Sequence, residues 1–419
     1  MMMNSKMVDM RDYKLIQADV LNGIPIDDKS IHCVVTSPPY FGLRDYGTEA
    51  QLGLEPLHDC LSWATGKEPV KHCCHVCNGR IWGAEIWRVL RDDGTFWLNY
   101  GDSYSGSGKG QAGKITREQS HMEGKVNIKF VGLKDKDLIG IPWRVALALQ
   151  SDGWYLRSDI IWHKPNPMPE SVTDRPTKSH EHIFLLTKNK KYYYDADAIK
   201  ETSVDPESHK GRRKRNAHRM NEVDRKNYKF AGSVLPDGTL KNEGKEYPTR
   251  NKRDVWNMST RSYKGAHFAT FPPELPETCI KAGTSEKGVC PECGNQWERV
   301  TEKTNMVIER SERTHSKGHT RTSGKMVSPP TSKTTGWKPT CGHDRTPIPA
   351  TVYDPFGGSG TTAYVAQKLG RSFILTELNP EYIELQKERT GMKALDEWEN
   401  GIEAESNLEG LPMFEEINE

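Results

Sequence analysis

Thr351-Val352-Tyr353-Asp354-Pro355-Phe356-Gly357-Gly358-Ser359-Gly360-Thr361-Thr362 is the stretch on which the fold turns. Its first three residues favour a strand, and Ala363 to Leu369 reads as a helix. The glycines between them permit a tight turn and close approach of backbone to a ligand. The loop ends at a helix N-terminus, where unpaired N–H groups and the dipole favour an anionic group. Strand, glycine loop and helix make up the cofactor loop of a doubly wound α/β sheet. The loop lacks the Gly-Lys-Ser/Thr of a phosphate loop and the G-x-G-x-x-G spacing of a dinucleotide site. Asp354 would repel a pyrophosphate and better suits a cofactor that carries an ammonium group. The next strand, Arg371 to Thr376, ends in Glu377, about twenty residues on, where an acid binds ribose hydroxyls. Such loops usually open their domain. This one comes late, so either a separate domain precedes it or the fold is permuted.

Lys14 to Ala18 reads as a strand followed by Asp19, and Val20 to Ile26 as one or two helical turns. Ile31-His32-Cys33-Val34-Val35 is a buried type of strand that runs into Thr36-Ser37-Pro38-Pro39-Tyr40. Two consecutive prolines fix φ and remove N–H donors, so the strand must stop there in a stiff loop. Open α/β sheets place ligands at that edge. Rigid proline carbonyls are strong acceptors that could bind an exocyclic amino group, and Tyr40 could stack on a base drawn out of its duplex. The bland reading is a proline-rich turn with a core tyrosine.

Further along, Ala84 to Leu90 reads as a short helix, Asp92-Asp93-Gly94 as a turn and Thr95 to Leu98 as a strand. Leu138 to Gln150 fits a helix with Pro142 in its first turn. Trp154 to Trp162 is a strand. His180 to Leu186 and Tyr192 to Tyr194, flanking Lys188-Asn189-Lys190-Lys191, suggest a hairpin. Pro272 to Ala282 is a helix with Gly283 as its cap, and Asn379-Pro380-Glu381 starts another that runs to about Arg389. Gly42 to Gly53 reads as loop and Ser103 to Val126 as a mobile Gly/Ser/Lys-rich segment. Lys210 to Lys229 is dense in Arg and Lys. Such a run is often just a solvated segment, but phosphate contact would also explain it.

The chain has 419 residues, a net charge of +2 and 28% charged residues, with a mean hydropathy of -0.76. No apolar run reaches membrane-spanning length, and Met1 to Asp12 lacks the apolar centre of a signal peptide. A cytoplasmic protein of a bacterial or phage-infected cell, with no membrane partner, is the expectation. Its nine cysteines then suggest reduced thiols or metal ligands rather than a disulfide framework. Cys290 and Cys293 form a Cys-x-x-Cys knuckle, and Cys341 and His343 follow just before the glycine loop. Together they are a candidate structural zinc site, against the plainer reading of unpaired buried thiols. Cys74 and Cys77 form a second such pair, with His58 or Cys60 completing a set. His72, Cys73 and His75 lie close by, so the ligands there stay open. Cys33 and Cys279 lie in apolar contexts and read as core residues.

Ser37-Pro38-Pro39-Tyr40 and the Asp354 to Thr362 loop together resemble the β-class amino-group DNA methyltransferases that use S-adenosylmethionine. Asp92 to Asn99 and Glu377-Leu378-Asn379-Pro380-Glu381-Tyr382 add to the resemblance, which covers roughly Lys14 to Lys200 and Asp254 to Arg389. It implies direct methylation of the exocyclic amino group of a flipped base, with Ser37, Pro38, Pro39 and Tyr40 as the catalytic loop. It implies that Asp354, Phe356, Gly357, Gly358, Ser359, Gly360, Thr361 and Glu377 bind the cofactor, with Asp19 near its adenine end. The family tends to pair Ser-Pro-Pro-Tyr with cytosine and Asp-Pro-Pro-Tyr with adenine, so Ser37 favours N4 of cytosine over N6 of adenine. No Pro-Cys dipeptide occurs, which argues against carbon-5 cytosine chemistry.

The expected fold is α/β, a doubly wound, mostly parallel sheet with an antiparallel hairpin, in permuted order, carrying target-recognition and zinc-binding inserts. Residues 13–200 would form the catalytic half, with a Cys/His-rich insert at 58–77. Residues 201–253 would read the target. Residues 254–392 would form the cofactor half, with the zinc-type insert at 290–343, and 393–419 an acidic tail. Double-stranded DNA is the expected partner and a cognate restriction enzyme a further candidate; the residues specify no oligomeric state. Methylation of RNA or protein through the same cofactor, or a non-catalytic zinc-containing DNA-binding protein, are the competing readings.

Overall fold

The computed structural model describes residues 13–41, 52, 68–69, 71, 74–105, 133–202, 249–260, 271–303, 307–314, 320–328 and 332–393, with backbone alone at 303, 307–314 and 320–328. The chain forms two compact units. The first comprises Met1–Asp195, Arg253–Trp297 and Pro339–Glu419; the second comprises Ala196–Lys252 and Glu298–Lys338.

In chain order the elements are β1 (Tyr13–Gln17), β2 (Ile31–Thr36), α1 (His75–Val89), β3 (Leu90–Tyr100), α2 (Ile141–Ser151), β4 (Tyr155–His163), β5 (His180–Thr187), β6 (Glu201–Thr202), β7 (Thr249–Arg250), β8 (Val255–Asn257), α3 (Glu274–Gly283), β9 (Glu298–Lys303), β10 (Val307–Thr314), β11 (Thr320–Ser328), β12 (Ser332–Lys338), β13 (Thr351–Asp354), α4 (Thr361–Lys368), β14 (Ser372–Glu377) and α5 (Pro380–Thr390). A short 3-10 turn, Val20–Asn22, follows β1. It is all that forms of the helical turns expected over Val20 to Ile26.

The first unit holds an eight-stranded sheet in the order β1-β14-β13-β2-β3-β5-β4-β8. β5 pairs antiparallel with β3 and β4, and the other pairs are parallel. All six residues of β2 are buried. A parallel strand covered on both faces needs such a run rather than alternation. On one face, Phe96, Leu98, Phe184 and Leu186 join Trp82 and Ile86 of α1 and Val145 and Leu149 of α2 in a single core. On the other, α3 lies close against the sheet. A Cβ on Gly283 would fall 2.2 Å from Thr95 Oγ1 and 2.9 Å from Cys33 Sγ. Gly283 is therefore the last residue of the helix, small because the helix touches the strands there, and Thr284 takes the cap position. Cys33 and Cys279 are fully buried, as their apolar neighbours implied.

The structure differs from the sequence reading in three further places. α1 starts at His75, well before Ala84, because Cys74 caps it by accepting from Cys77 N at 3.4 Å. Asp92-Asp93-Gly94 lies inside β3, where the register to β2 shifts, instead of turning the chain. The expected His180 to Tyr194 hairpin does not form: β5 takes β4 as its antiparallel partner, and Tyr192 to Tyr194 is not a strand.

In the second unit β10 pairs with β11, β12 with β9 and β6 with β7, all antiparallel. No helix among the described residues is long and apolar enough to cross a membrane. Most of Gly42 to Gly53, the stretch from 106 to 126, the basic run from 210 to 229 and the acidic tail from 394 lie outside the described residues.

Candidate active site

The glycine loop leaves β13 at Asp354, and its neighbour β2 delivers the Ser37 to Tyr40 loop at the same end of the sheet. Asp354 joins the two. Its Oδ1 accepts from Thr36 Oγ1 at 2.6 Å and from Phe356 N at 3.0 Å, and its Oδ2 from Thr362 Oγ1 at 2.7 Å. The side chain is buried, and burial pushes its carboxyl up to about 7 against the pull of those donors. Asp354 is thus a buried strut from the glycine loop to the residue just before Ser37. A bound ammonium group would have to share an oxygen that already accepts.

Gly358 and Gly360 have φ of 48° and 74°, a left-handed turn that glycine takes without strain. Gln386 and Arg389, both on α5, brace the loop from behind. Gln386 Nε2 donates to Gly358 O at 2.8 Å, and Arg389 Nη1 donates to Ser359 O at 3.0 Å and to Thr361 Oγ1 at 2.9 Å. A Cβ on Gly357 would strike Gln386 at 2.9 Å, whereas one on Gly358 would meet nothing nearer than 3.8 Å. The loop therefore has a filled back and an open backbone face, a fit for a ligand held by main-chain groups.

Glu377 ends β14 beside that face. Its Oε2 accepts from Gly358 N at 2.8 Å and its Oε1 from Leu378 N at 2.9 Å and Asn379 N at 3.0 Å. Burial raises its carboxyl above the usual range, and these three N–H groups oppose the shift. Asp19 follows β1, whose Gln17 is the register partner of Glu377. Its carboxylate accepts from Leu21 N at 2.9 Å and Asn22 Nδ2 at 2.8 Å.

The Ser37 to Tyr40 loop is held by side chains. Ser37 Oγ donates to Tyr40 Oη at 3.1 Å, and Tyr40 Oη donates to Glu181 Oε2 at 2.7 Å. Glu181 Oε1 pairs with the Lys164 ammonium. Asn99 Nδ2 lies 3.0 Å from Glu181 Oε2 and 3.3 Å from Ser37 Oγ. The carboxylate dictates the Asn99 amide orientation, which leaves Asn99 Oδ1 buried without a partner. The Tyr40 ring stacks on Tyr100 at 5.5 Å, over Gly101, where a Cβ would come within 2.6 Å of the ring. Lys178 donates to Asp102 O. Asp102 in turn accepts from Gly140 N at 3.0 Å and Ile141 N at 3.1 Å at the start of α2.

Asn99, Glu181 and Lys164 escaped the sequence reading. They sit on or just after strands, far along the chain from Ser37. The available signal was a charged residue, Glu181, heading the otherwise apolar Ile183-Phe184-Leu185-Leu186 strand.

Cys290, Cys293, Cys341 and His343 come together, with ligand atoms all within 4.8 Å of one another. Three thiols and an imidazole nitrogen are a donor set that fits tetrahedral zinc. The knuckle is tied to the sheet. Arg91 Nη1 donates to Cys293 O at 2.9 Å, His32 Nε2 donates to Gly294 O at 3.0 Å, and Thr351 N donates to His32 Nδ1 at 3.0 Å. Burial lowers His32 to about 4, so the ring is neutral and can bridge in that sense. In the other cluster Cys74 and Cys77 are buried at the start of α1, and His75 bonds to Tyr100 Oη. His58 and Cys60 lie outside the described residues.

A mostly parallel sheet with a glycine loop and the acid Glu377 at neighbouring strand ends is the frame of an open α/β enzyme whose ligand lies at that edge. The sequence matches the N6/N4 DNA methylase family over residues 31–291 and 345–388. It is 36% identical over 383 residues to the Type II methyltransferase M.SmaI of Serratia marcescens, with 91% of each chain covered. It is 35% identical over 381 residues to M.XycI of Xanthomonas campestris pv. cyanopsidis, covering 91% of this chain and 88% of that one. Among solved structures the PvuII DNA methyltransferase (cytosine-N4-specific) aligns with a TM-score of 0.44 at 15% identity, over 90% of this chain and 86% of that one. That last likeness is too loose to carry an argument. The chain belongs to the N6/N4 DNA methylase family and is an S-adenosylmethionine-dependent DNA methyltransferase that acts on an exocyclic amino group.

Proposed function

We propose that the protein methylates N4 of cytosine at a specific site in double-stranded DNA, on a base flipped into the cleft between the Ser37 loop and the glycine loop. The observation that carries this reading is the Thr36–Asp354 hydrogen bond of 2.6 Å, which makes the two loops one site. The choice of cytosine rests on Ser37, in the position where adenine enzymes of the family tend to have Asp. The cofactor, when bound, supplies an electrophilic methyl group on a cationic sulfur. Ser37 Oγ and the Pro38 carbonyl accept the amino protons, so the nitrogen lone pair points at the methyl carbon and the positive charge that develops on nitrogen is stabilised. Rigid prolines hold that geometry before the base arrives, and Tyr40 offers its ring to the flipped base. The main chain from Phe356 to Gly358 and Glu377 hold the methionine and ribose parts of the cofactor, with Asp354 fixing the loop and Asp19 lying toward the adenine end. Residues 13–200 and 254–392 are assigned as the catalytic and cofactor halves of a permuted domain, and 201–253 as the target reader. A cognate restriction enzyme and a cytoplasmic site of action complete the reading.

Sequencing that detects modified bases, applied to DNA from cells expressing the protein, tests this. N4-methylcytosine at one recurring sequence is expected, while N6-methyladenine would overturn the choice of base. The Cys290, Cys293, Cys341 and His343 set would hold one structural zinc. Metal analysis of the purified protein should find zinc in the wild type and lose it in Cys290→Ser; a metal-free wild type would refute it.

A further inference from the structure

Acceptance of an amino proton by Ser37 requires its own hydrogen to point elsewhere. A hydroxyl has one proton and two lone pairs, and the proton rotates to the best acceptor. In this structure that acceptor is Tyr40 Oη at 3.1 Å, which can accept because its own proton goes to Glu181 Oε2 at 2.7 Å. Glu181 lies near the start of β5, its side chain only 12% exposed, ahead of the buried Ile183-Phe184-Leu185-Leu186 run, and it is anchored by Lys164. Asn99 Nδ2 closes the group, donating to Tyr40 Oη at 2.5 Å, which with Ser37 uses that oxygen's lone pairs and leaves its proton to Glu181, and lying 3.0 Å from Glu181 Oε2.

We propose that Glu181 is a positioning residue for methyl transfer: through Tyr40 it sets the direction of the Ser37 hydroxyl, so that Ser37 presents lone pairs, not its proton, to the target amino group. The chain has a fixed sense because an ionised carboxylate only accepts. Burial opposes that ionisation, but Lys164, Tyr40 and Asn99 outweigh it and leave the Glu181 carboxyl below its usual range. Glu181 thus stays an acceptor and is unsuited to be the base that takes the proton. A neutral amide at this position has the same shape but can donate to Tyr40 Oη. Tyr40 would then donate to Ser37, and Ser37 would have a proton left to aim at the amino group it should relieve.

The inference rests on the proposed role of Ser37, and a double-mutant cycle separates the two. Single-turnover transfer from tritiated S-adenosylmethionine to unmethylated plasmid DNA is measured for wild type, Glu181→Gln, Ser37→Ala and the double variant, with cofactor affinity followed by calorimetry. Glu181→Gln should slow transfer on the order of 10- to 100-fold with cofactor affinity unchanged, and should add nothing in the Ser37→Ala background. Tyr40→Phe keeps the ring and the Glu181–Lys164 pair and should reproduce the slow step, which covers the case of a poorly folding Glu181→Gln. An equal loss in the Ser37→Ala background, or full rate in both Glu181→Gln and Tyr40→Phe, would overturn the proposal. If Ser37→Ala itself transfers at the wild-type rate, the catalytic reading fails along with it.

Discussion

Two loops leave neighbouring strands at the same end of the sheet, and they are held in opposite ways. The glycine loop is secured from its own flank: Asp354, Thr362 and Glu377 lie within two dozen residues of one another, and α5 follows at once. The Ser37 loop is secured from afar, by Asn99 on β3, Glu181 on β5 and Lys164 after β4. A loop that grips a ligand with backbone can carry its own supports. A loop that must aim one hydroxyl needs polar groups brought in from other strands, where their desolvation is repaid by mutual hydrogen bonds.

Asp354→Ala should break the contrast most completely, because Asp354 serves both loops. It leaves the buried Thr36 and Thr362 hydroxyls and Phe356 N–H without their acceptor, at about 1–3 kcal/mol each. A large fall in melting temperature and loss of calorimetric cofactor binding are expected; retention of both would remove Asp354 from the site. Ser37→Ala should spare the cofactor loop. We expect transfer to fall on the order of 10²-fold with cofactor affinity unchanged, read from single-turnover rates and calorimetry.

Gly283→Ala tests the sheet beneath both loops. The added methyl meets Thr95 Oγ1 and Cys33 Sγ, so stability should drop by about 1–3 kcal/mol in denaturant titration while the stoichiometry of cofactor binding holds.

The smallest effect is on pH dependence. Burial places Asp354 at about 7, so between the ordinary carboxylate range and about 7 the folded chain holds a proton that the unfolded chain has lost. That contribution is fully present below the ordinary range and disappears as pH rises through about 7. Asp354→Asn should flatten this part of the melting-temperature profile, and an unchanged slope would show that another group titrates there. A cationic cofactor bound near Asp354 favours its ionised form, so binding should tighten as pH rises through about 7 in the wild type only.

The same contrast explains what the sequence disclosed. The glycine loop between strand and helix could be read directly, since Asp354, the glycines and Glu377 are local and their spacing has a mechanical reason. The Ser37 loop was visible by its prolines, but its supports were not: Glu181 and Lys164 are 17 residues apart in sequence and more than 120 from Ser37. The start of α1 was hidden because its cap is a cysteine, Cys74, which looks like a metal ligand. Gly283 looked like a helix cap because contact with a strand leaves the same residue behind as a left-handed turn does. The expected hairpin after His180 failed because both edges of β5 are taken, one by β3 and the other by β4.

The central claim is that one site, built from the Ser37 loop and the glycine loop, methylates an exocyclic amino group in DNA. Nucleoside mass spectrometry of duplex DNA incubated with the protein and deuterium-labelled S-adenosylmethionine tests it most directly. The account predicts label in N4-methyldeoxycytidine, accumulating on the order of 10²-fold more slowly in Ser37→Ala. Label in 5-methyldeoxycytidine, or none in any nucleoside, would contradict it.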